Sequence, residues 1–577
     1  MLGYGGLEPM KILQMHTDFV EYKPIEKEIQ GAEDSSSDLV REEEIVVLFT
    51  AVESGDDDGT AMQAVAEARD FLKKLGVNRL MIYPFAHLSQ NLAKPSDALP
   101  VLKKMESESK EAGIETRRAP FGWNKALQVK VKGHPLAEMS RSYGASAAAA
   151  APVAARPAKP ERELGEHELL ARIKKTDFGD LPETDHRTIG ERLDLFSFQE
   201  PSPGMVYWHD KGLKLRNLLI GFLRTELAAR GYVEISNPAL ANTNLWKVSG
   251  HSEHYKDNMF LTHLGDEEFG MKPMNCPSTF LVYRSRKWSF RELPVRYAIF
   301  DPLYRNELSG VASGLFRVKI LTQDDAHIIC PEDQAEAELA NMLDMMEKVY
   351  KIFGLPFKAK ISTRPDESMG SDEEWERATN TLIRVVKARG WPVEEKEKEG
   401  TFYGPKIDVD IKDSLGREWQ CGTFQVDLQM PKRFKLTYTG PDGKEHTPVV
   451  LHRTILGSLE RFIGVMLEHY QGKLPLWLSP VQARVIPITG DDLVYAKAAL
   501  ETLQKSGIRA EGDFDTGTMN AKIRNAQLQK IPVMVIVGEK ERAADTIAVR
   551  DRSGKVSYGL KMDDFVRELQ ERVARFE

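Results

Sequence analysis

The chain has 577 residues, 41% hydrophobic and 29% charged, the balance of a soluble globular protein of roughly three to four domains. No apolar run approaches the roughly 18 residues a membrane span needs, and the N-terminus "MLGYGGLEPMKILQMHTDF" lacks the basic region and apolar core of a secretory signal. The net charge of -8 does not advertise nucleic-acid binding, although a local basic face would suffice for it, and the three cysteines, Cys276, Cys330 and Cys421, form no CxxC pair and fit a reducing cytoplasm.

The first unit, residues 1–141, alternates strand and helix signals. "MKILQMHTDF", "EEIVVLFTAV" and "NRLMIYPFAHL" read as strands and "ALQVKVKGH" as an alternating strand. "GTAMQAVAEARDFLKKLG" spaces Met62, Val65, Ala66, Phe71 and Leu72 near a helical period and stops at Gly76, and "SDALPVLKKMESESKEAG" is a second helix. The pattern predicts an α/β domain. Met10 is a candidate second start, since residues 1–9 carry no pattern. Residues 142–163, "SYGASAAAAAPVAARPAKPERE", have the composition of a linker.

A large α+β region, 164–480, mixes long helices ("GLKLRNLLIGFLRTELAARG", "DQAEAELANMLDMMEKVYKIFG") with antiparallel strand signals in "GTFYGPKIDVDIKDSLGREWQCGTFQVDLQM", where "SLG" marks a turn. The last unit, 481–577, alternates strand and helix and predicts an α/β domain with a mostly parallel sheet.

Three stretches of the large region concentrate chemistry. "LYRNELSGVASGLFRVKILTQDDAHIIC" carries Arg305, Glu307 and Arg317 around a Gly/Ser loop; strand-borne guanidinium groups can clamp phosphate, or the stretch is a surface hairpin with ordinary salt bridges. Its end, "TQDDAHIIC", could bind a metal, form an acid/base pair or be a polar strand end. "LHRTILGSLERFIGVMLEHY" places Ile455, Leu459, Phe462, Ile463 and Met466 on one helical face, with Gly457 and Ser458 in the first turns and Arg461 projecting. "RGYVEISNPAL" runs from a helix end at Gly231 through a strand to Pro238.

In that order, the helix–strand–Pro segment, the "RNE" hairpin with its later Arg and the "GSLERF" helix resemble motifs 1, 2 and 3 of class II aminoacyl-tRNA synthetases. "MKPMNCP", "TQDDAHI", "FYGPKID", "WQCGTFQVD" and "HRTILGSLERF" resemble the threonyl-tRNA synthetases within that class. "HTDFVEY", "AHLSQNLA", "PFGWNKA" and "KGHPLAEMSR" resemble the deacylase-like editing domain of the archaeal-type members. The final unit resembles the class II anticodon-binding domain. The fold implied is multidomain α/β and α+β, with the catalytic core on an antiparallel sheet.

The resemblance implies attachment of L-threonine to tRNA(Thr) through an ATP-derived adenylate. Valine is isosteric with threonine, and a hydrophobic pocket separates such a pair only about 10²-fold. A Lewis-acidic metal that engages amine and hydroxyl together does better. The family pattern puts zinc on Cys276, His327 and His452, Asp325 on the threonine hydroxyl, and Gln323, Tyr403 and Gln425 around the amino acid. It puts Arg305 between the carboxylate and the α-phosphate, Glu307 on adenine, Arg317 and Arg461 on the phosphates, Lys406, Gln420 and Ser458 nearby, and Mg²⁺ with ATP. Strand alternation sets 323, 325 and 327 on one face and turns Asp324 and Cys330 away. Cys330 and Cys421 read as buried, unligated thiols.

Serine carries the same amine and hydroxyl, so a second sieve is needed. The pattern assigns it to the first unit, with His87, Lys125 and Glu138 clearing seryl-tRNA. Lys522, Arg524, Glu541 and Arg550 are the implied anticodon contacts. The motif 1 segment implies a homodimer, and no membrane partner is expected. Another class II enzyme, seryl or prolyl, is disfavoured by the Cys276/His327/His452 set. A synthetase-like RNA-binding regulator is disfavoured by the presence of Arg305, Arg317 and Arg461.

Overall fold

The computed structural model describes residues 10–143 apart from 30, 37, 90 and 133–137, together with 174–307 and 313–577. The described residues form two compact units, 10–143 and 174–577. The stretch expected as a linker from 142 begins inside a strand that runs to Tyr143, and the rest of it lies outside the described residues.

In the first unit, β1 (Met10–Lys27), β2 (Val40–Ala51), β3 (Arg79–Pro84), β4 (Glu115–Arg118), β5 (Trp123–Val131) and β6 (Glu138–Tyr143) make one six-stranded sheet, ordered β4-β3-β2-β1-β5 with β6 also on β1. β1 is antiparallel to β2, β5 and β6, whereas β2, β3 and β4 are parallel. Parallel neighbours need crossovers, and α1 (Asp58–Leu75) and α2 (Pro95–Glu111) supply them. α1 starts where the Asp57 carboxylate accepts the Thr60 N–H, and it stops at Gly76, whose φ is 68°. Val46 and Leu48 pack towards the helices with Ile12 and Leu80. Ile45, Val47 and Phe49 pack on the other face with Tyr22 and Tyr83. Burial of both faces is why "EIVVLFTA" reads as a continuous apolar run.

The second unit is organised by an eight-stranded sheet. Its strands are β7 (Val233–Glu234), β8 (Val295–Ile299), β9 (Asp325–Cys330), β10 (Phe357–Ser362), β11 (Glu394–Lys396), β12 (Lys406–Lys412), β13 (Glu418–Asp427) and β14 (Val449–Thr454). The order is β11-β10-β12-β13-β14-β9-β8-β7. The interior is antiparallel, and only the edge strands β11 and β7 run parallel to their neighbours. One face carries the main core, built with α3 (Asp210–Ala228), α5 (Ala335–Phe353), α6 (Asp372–Ala388) and α7 (Leu459–His469). The opposite face packs on α4 (Cys276–Arg284) through Phe280, Tyr283, Ile329 and Val450.

The C-terminal part holds β15 (Ala483–Pro487), α8 (Leu493–Lys505), β16 (Ala510–Gly512), α9 (Met519–Leu528), β17 (Val533–Val537), α10 (Glu539–Ala544), β18 (Ile547–Asp551), β19 (Val556–Leu560) and α11 (Met562–Ala574). The five strands are ordered β16-β15-β17-β18-β19. Only β16–β15 and β15–β17 are parallel; β17–β18 and β18–β19 are antiparallel. The mostly parallel sheet expected from sequence is therefore half antiparallel. The turn at Gly554, with φ of 92°, folds β19 back on β18 as a hairpin instead of sending it through a helix. Phe576, just past the end of α11, sits 5.2 Å from Trp477 and 5.3 Å from Phe222 between ring centroids, so the C-terminus seats on the main core.

Candidate active site

β9 and β14 are antiparallel neighbours in which His327 stands opposite His452. The flanking strands extend this row, with Gln425 opposite His452, Tyr297 opposite His327 and Lys406 opposite Gln425. Residues in one row project from the same face of a pleated sheet. Ile328, Cys330 and Leu451 point the other way into the main core. α4 brings its first residue, Cys276, over the row. The ligand atoms of Cys276, His327 and His452 lie within 4.8 Å of one another, and all three residues are buried.

The His452 Nε2 is 3.0 Å from the Asp427 carboxylate. The other Asp427 oxygen accepts the N–H groups of Gln429 and Met430, both at 2.9 Å. The buried His327 Nδ1 has no hydrogen-bond partner among the described residues and lies 3.9 Å from Asp325 Oδ1. Burial lowers the His327 imidazole to about 4, so it is neutral near pH 7 with a lone pair to give. Burial, aided by the charges of Asp325 and Asp427, raises the Cys276 thiol well above its ordinary value. A thiol that lacks a cation beside two imidazoles is a donor set that a zinc ion satisfies. The residues present therefore fit the metal that the sequence implied.

Asp325 accepts a hydrogen bond from Asn275 Nδ2 at 3.0 Å. Tyr403 donates its hydroxyl to Gln425 Oε1 at 2.7 Å, and its ring centroid lies 5.3 Å from that of His452. Gln323 is half-buried at a break between strand Ile320–Thr322 and β9, where its backbone bridges to Ser458. Regular strand pairing thus covers 325 and 327, while 323 pairs only through that bridge. Asp324 is turned away as expected, with its carboxylate accepting from Arg453 and from the N–H groups of Ile455, Leu456 and Gly457. That capping ends β14 and delays α7. Gly457, with φ of 72°, would place a Cβ 2.6 Å from the Cys421 carbonyl oxygen. Ile455 and Gly457 therefore precede the helix rather than open it, and Ser458 is its N-cap.

Arg305 follows the strand Pro302–Tyr304, its Nε 3.4 Å from the Pro273 carbonyl. Glu307 and Arg317 pair at 2.9 Å. Arg461 donates to the carbonyls of Phe316, at 2.9 Å, and Gln420, at 3.3 Å. Burial, then the fields of Arg317 and Arg305, lower its pKa, so three guanidinium groups converge here. Lys406 pairs with the buried Asp408 at 2.8 Å, and Gln420 donates to the same carboxylate at 2.6 Å. The site is thus a buried thiol/imidazole/carboxylate pocket together with a cationic cluster.

A second grouping, Asp185, His186 and Glu468, has no free ligand. His186 donates Nδ1–H to Glu468 at 2.7 Å and accepts the Leu315 N–H on Nε2 at 2.9 Å.

In the first unit, Lys125 donates to the carbonyls of Pro120 and Trp123, both at 3.0 Å, and lies 5.1 Å above the Tyr83 ring. It lines a cavity of about 470 Å³ with Thr50, Tyr83, Phe121 and Trp123. Burial lowers its amine to about 8. The side chains of His87 and Glu138 lie outside the described residues.

Among the implied anticodon contacts, Lys522 is buried with its amine on the Asp513 carbonyl, and buried Glu541 caps its own helix through the Gly538 N–H. These two are occupied internally, Arg524 is exposed and Arg550 is half-buried. Asn275, Asp408 and Asp427 were not singled out from sequence. Asp427 shares the alternation of Gln425, and Asn275 directly precedes Cys276; those signals were open to the sequence but not used for these two residues.

Three family descriptions match the chain: "Archaea-specific editing domain of threonyl-tRNA synthetase" over residues 10–143, "tRNA synthetase class II core domain (G, H, P, S and T)" over 260–470, and "Anticodon binding domain" over 482–572. A threonine–tRNA ligase of Caldanaerobacter subterraneus is 47% identical over 390 residues, 68% of this chain and 61% of that protein. One from Syntrophotalea carbinolica is 46% identical over 417 residues, 70% of this chain and 65% of that protein. The chain thus spans less than two thirds of the length of these relatives. A crystal structure of the RNA binding domain of threonyl-tRNA synthetase from Cryptosporidium parvum is 39% identical with a TM-score of 0.66, and covers 67% of this chain and 98% of that one.

Proposed function

Since this chain belongs to the threonyl-tRNA synthetase family, we propose that it joins L-threonine to tRNA(Thr) in two steps and removes serine charged in error. The observation that carries the reading is the buried Cys276/His327/His452 set beside the Asp325 carboxylate. Cys276, His327 and His452 would hold zinc. When bound, the ion supplies a Lewis acid that can take an amine and a hydroxyl together, which valine cannot match. Asp325 accepts the hydrogen of the substrate hydroxyl. Tyr403 and Gln425, linked to one another, flank the amino acid.

In the first step the threonine carboxylate attacks the α-phosphorus of ATP, a P–O bond forms, and pyrophosphate leaves with the electrons of the broken P–O bond. Negative charge builds on the phosphate oxygens, so Arg305, Arg317 and Arg461 lower the barrier by their fixed positions. Glu307 reads the adenine amino group once ATP draws Arg317 away from it. Asp408 holds Lys406 and Gln420 in place beside the nucleotide, and Mg²⁺ accompanies ATP. In the second step a terminal hydroxyl of tRNA attacks the adenylate carbonyl and AMP leaves.

In the first unit, the cavity beside Lys125 would receive the seryl-tRNA terminus, His87 and Glu138 being the further candidates of the family pattern, and the lysine cation would stabilise the oxyanion of ester hydrolysis. Arg524 and Arg550 are the better placed of the four implied anticodon contacts. The motif 1 segment around β7 would form a homodimer interface.

ATP–pyrophosphate exchange across amino acids tests the reading. Threonine-dependent exchange, with serine well below it and valine lower still, is the expected result. Exchange dependent on proline, or on no amino acid, would overturn it.

A further inference from the structure

Asn275 breaks a local rule. It stands at the N-cap of α4, where asparagine ordinarily accepts a hydrogen bond from the next turn's backbone. Here its side chain makes no capping bond, and its φ and ψ, -89° and -25°, are already helical. The residue is fully buried. Its Nδ2 instead donates to Asp325 Oδ2 at 3.0 Å. The opposite end of the amide, Oδ1, has no partner among the described residues. The carboxylate alone therefore fixes the amide's orientation, because a flipped amide would set oxygen against oxygen. Its backbone is pinned separately, since its carbonyl accepts from both the N–H and the hydroxyl of Thr279, each at 3.0 Å.

We propose that Asn275 is a specificity-determining positioning residue: by occupying Asp325 Oδ2, it leaves Oδ1 as the one oxygen presented to the substrate hydroxyl. Asp325 Oδ1 is the atom that faces His327 at 3.9 Å, so the remaining acceptor sits beside the ligand row. A carboxylate free to rotate would offer either oxygen in several poses and would hold the hydroxyl poorly. Helix α4 delivers Asn275 and Cys276 as consecutive residues, so the hydroxyl acceptor and the first metal ligand are set by one turn of backbone. Local helix stability is given up for placement at the site, as functional positions do.

This inference rests on the threonine reading, and the test separates the two. The full-length holoenzyme would be compared with Asn275→Ala and with the nearly isosteric Asn275→Asp, which leaves no cavity but cannot donate when ionised. Zinc content and the kcat and KM of pyrophosphate exchange would be measured with threonine and with valine. A lost hydrogen bond to a charged group predicts a threonine KM raised about tenfold or more in both variants. The threonine kcat changes much less, zinc stays at the wild-type stoichiometry, and the threonine-to-valine ratio of kcat/KM falls about tenfold because valine does not use Asp325. An unchanged ratio in the Asp variant would overturn the inference. So would loss of zinc from both variants, which would make Asn275 a support of the metal site. Wild-type enzyme that fails to prefer threonine would instead overturn the functional reading itself.

Discussion

Asp427→Asn isolates one hydrogen bond behind the proposed metal ligands. In the wild type one carboxylate oxygen accepts two backbone N–H groups at 2.9 Å, and the other meets His452 Nε2 at 3.0 Å. Asparagine can keep its Oδ1 on the two N–H groups. Its Nδ2 then faces the imidazole N–H, donor against donor. The ring escapes only by moving its proton to Nδ1, the atom left for a metal. Changes of this kind cost about 10–100-fold in metal affinity, which is about 1.4–2.7 kcal/mol. Stability falls by only about 1 kcal/mol, because the backbone acceptor survives. Asp427→Ala, by contrast, strands both buried N–H groups at about 1–3 kcal/mol each. Competition for zinc against a chromophoric chelator reads the first effect, and urea unfolding of the metal-free protein reads the second. Wild-type zinc affinity in Asp427→Asn, in an assay where His452→Ala lowers it, would refute the argument.

Arg305→Ala leaves the fold intact and lowers threonine-dependent pyrophosphate exchange by about 10²-fold or more, since a preorganised cation at the reacting phosphate is lost; near-normal exchange counts against its role. Lys125 titrates at about 8, so its cation fades as pH rises through that value. Hydrolysis of seryl-tRNA above the uncatalysed rate should decline on the alkaline side, and Lys125→Ala should abolish it at every pH; a rate that climbs through pH 8 assigns the lysine a different role. Phe576→Ala removes a half-buried ring from Trp477 and Phe222 and should lower stability to urea by about 2 kcal/mol. An unchanged midpoint would mean that the ring contributes no net packing.

The proposed ligand set shows how far sequence reasoning reaches. Cys276, His327 and His452 are scattered along the chain, and no local spacing joins them. Family likeness pointed to them, and the register of β9 and β14 explains why the two histidines meet. Alternation alone placed 325 and 327 on one face and sent Asp324 and Cys330 to the other. Between Gln323 and β9 the regular pairing stops at Asp324, whose carboxylate caps a neighbouring turn. The apolar period from Ile455 to Met466 overran its helix for the same reason. Asp324 and the left-handed Gly457 end the preceding strand with hydrogen bonds that periodicity cannot express. Lys522 and Glu541 illustrate a different limit. Charge on a helix suggests solvent or RNA, but each has an unpaired backbone group within reach, and burial decided for that partner.

The row of Gln425, His452, His327 and Tyr297 across β13, β14, β9 and β8 has a consequence for folding. A slip of one residue between β9 and β14 would turn one of the two imidazoles into the opposite core. Only the native pairing therefore presents both rings to Cys276. With the proposed ion on these three residues, metal uptake and strand registration would become one event, and an ion present during refolding would select the correct pairing from its one-residue neighbours. Chelation would remove that selection while leaving the sequence of the hydrophobic core unchanged.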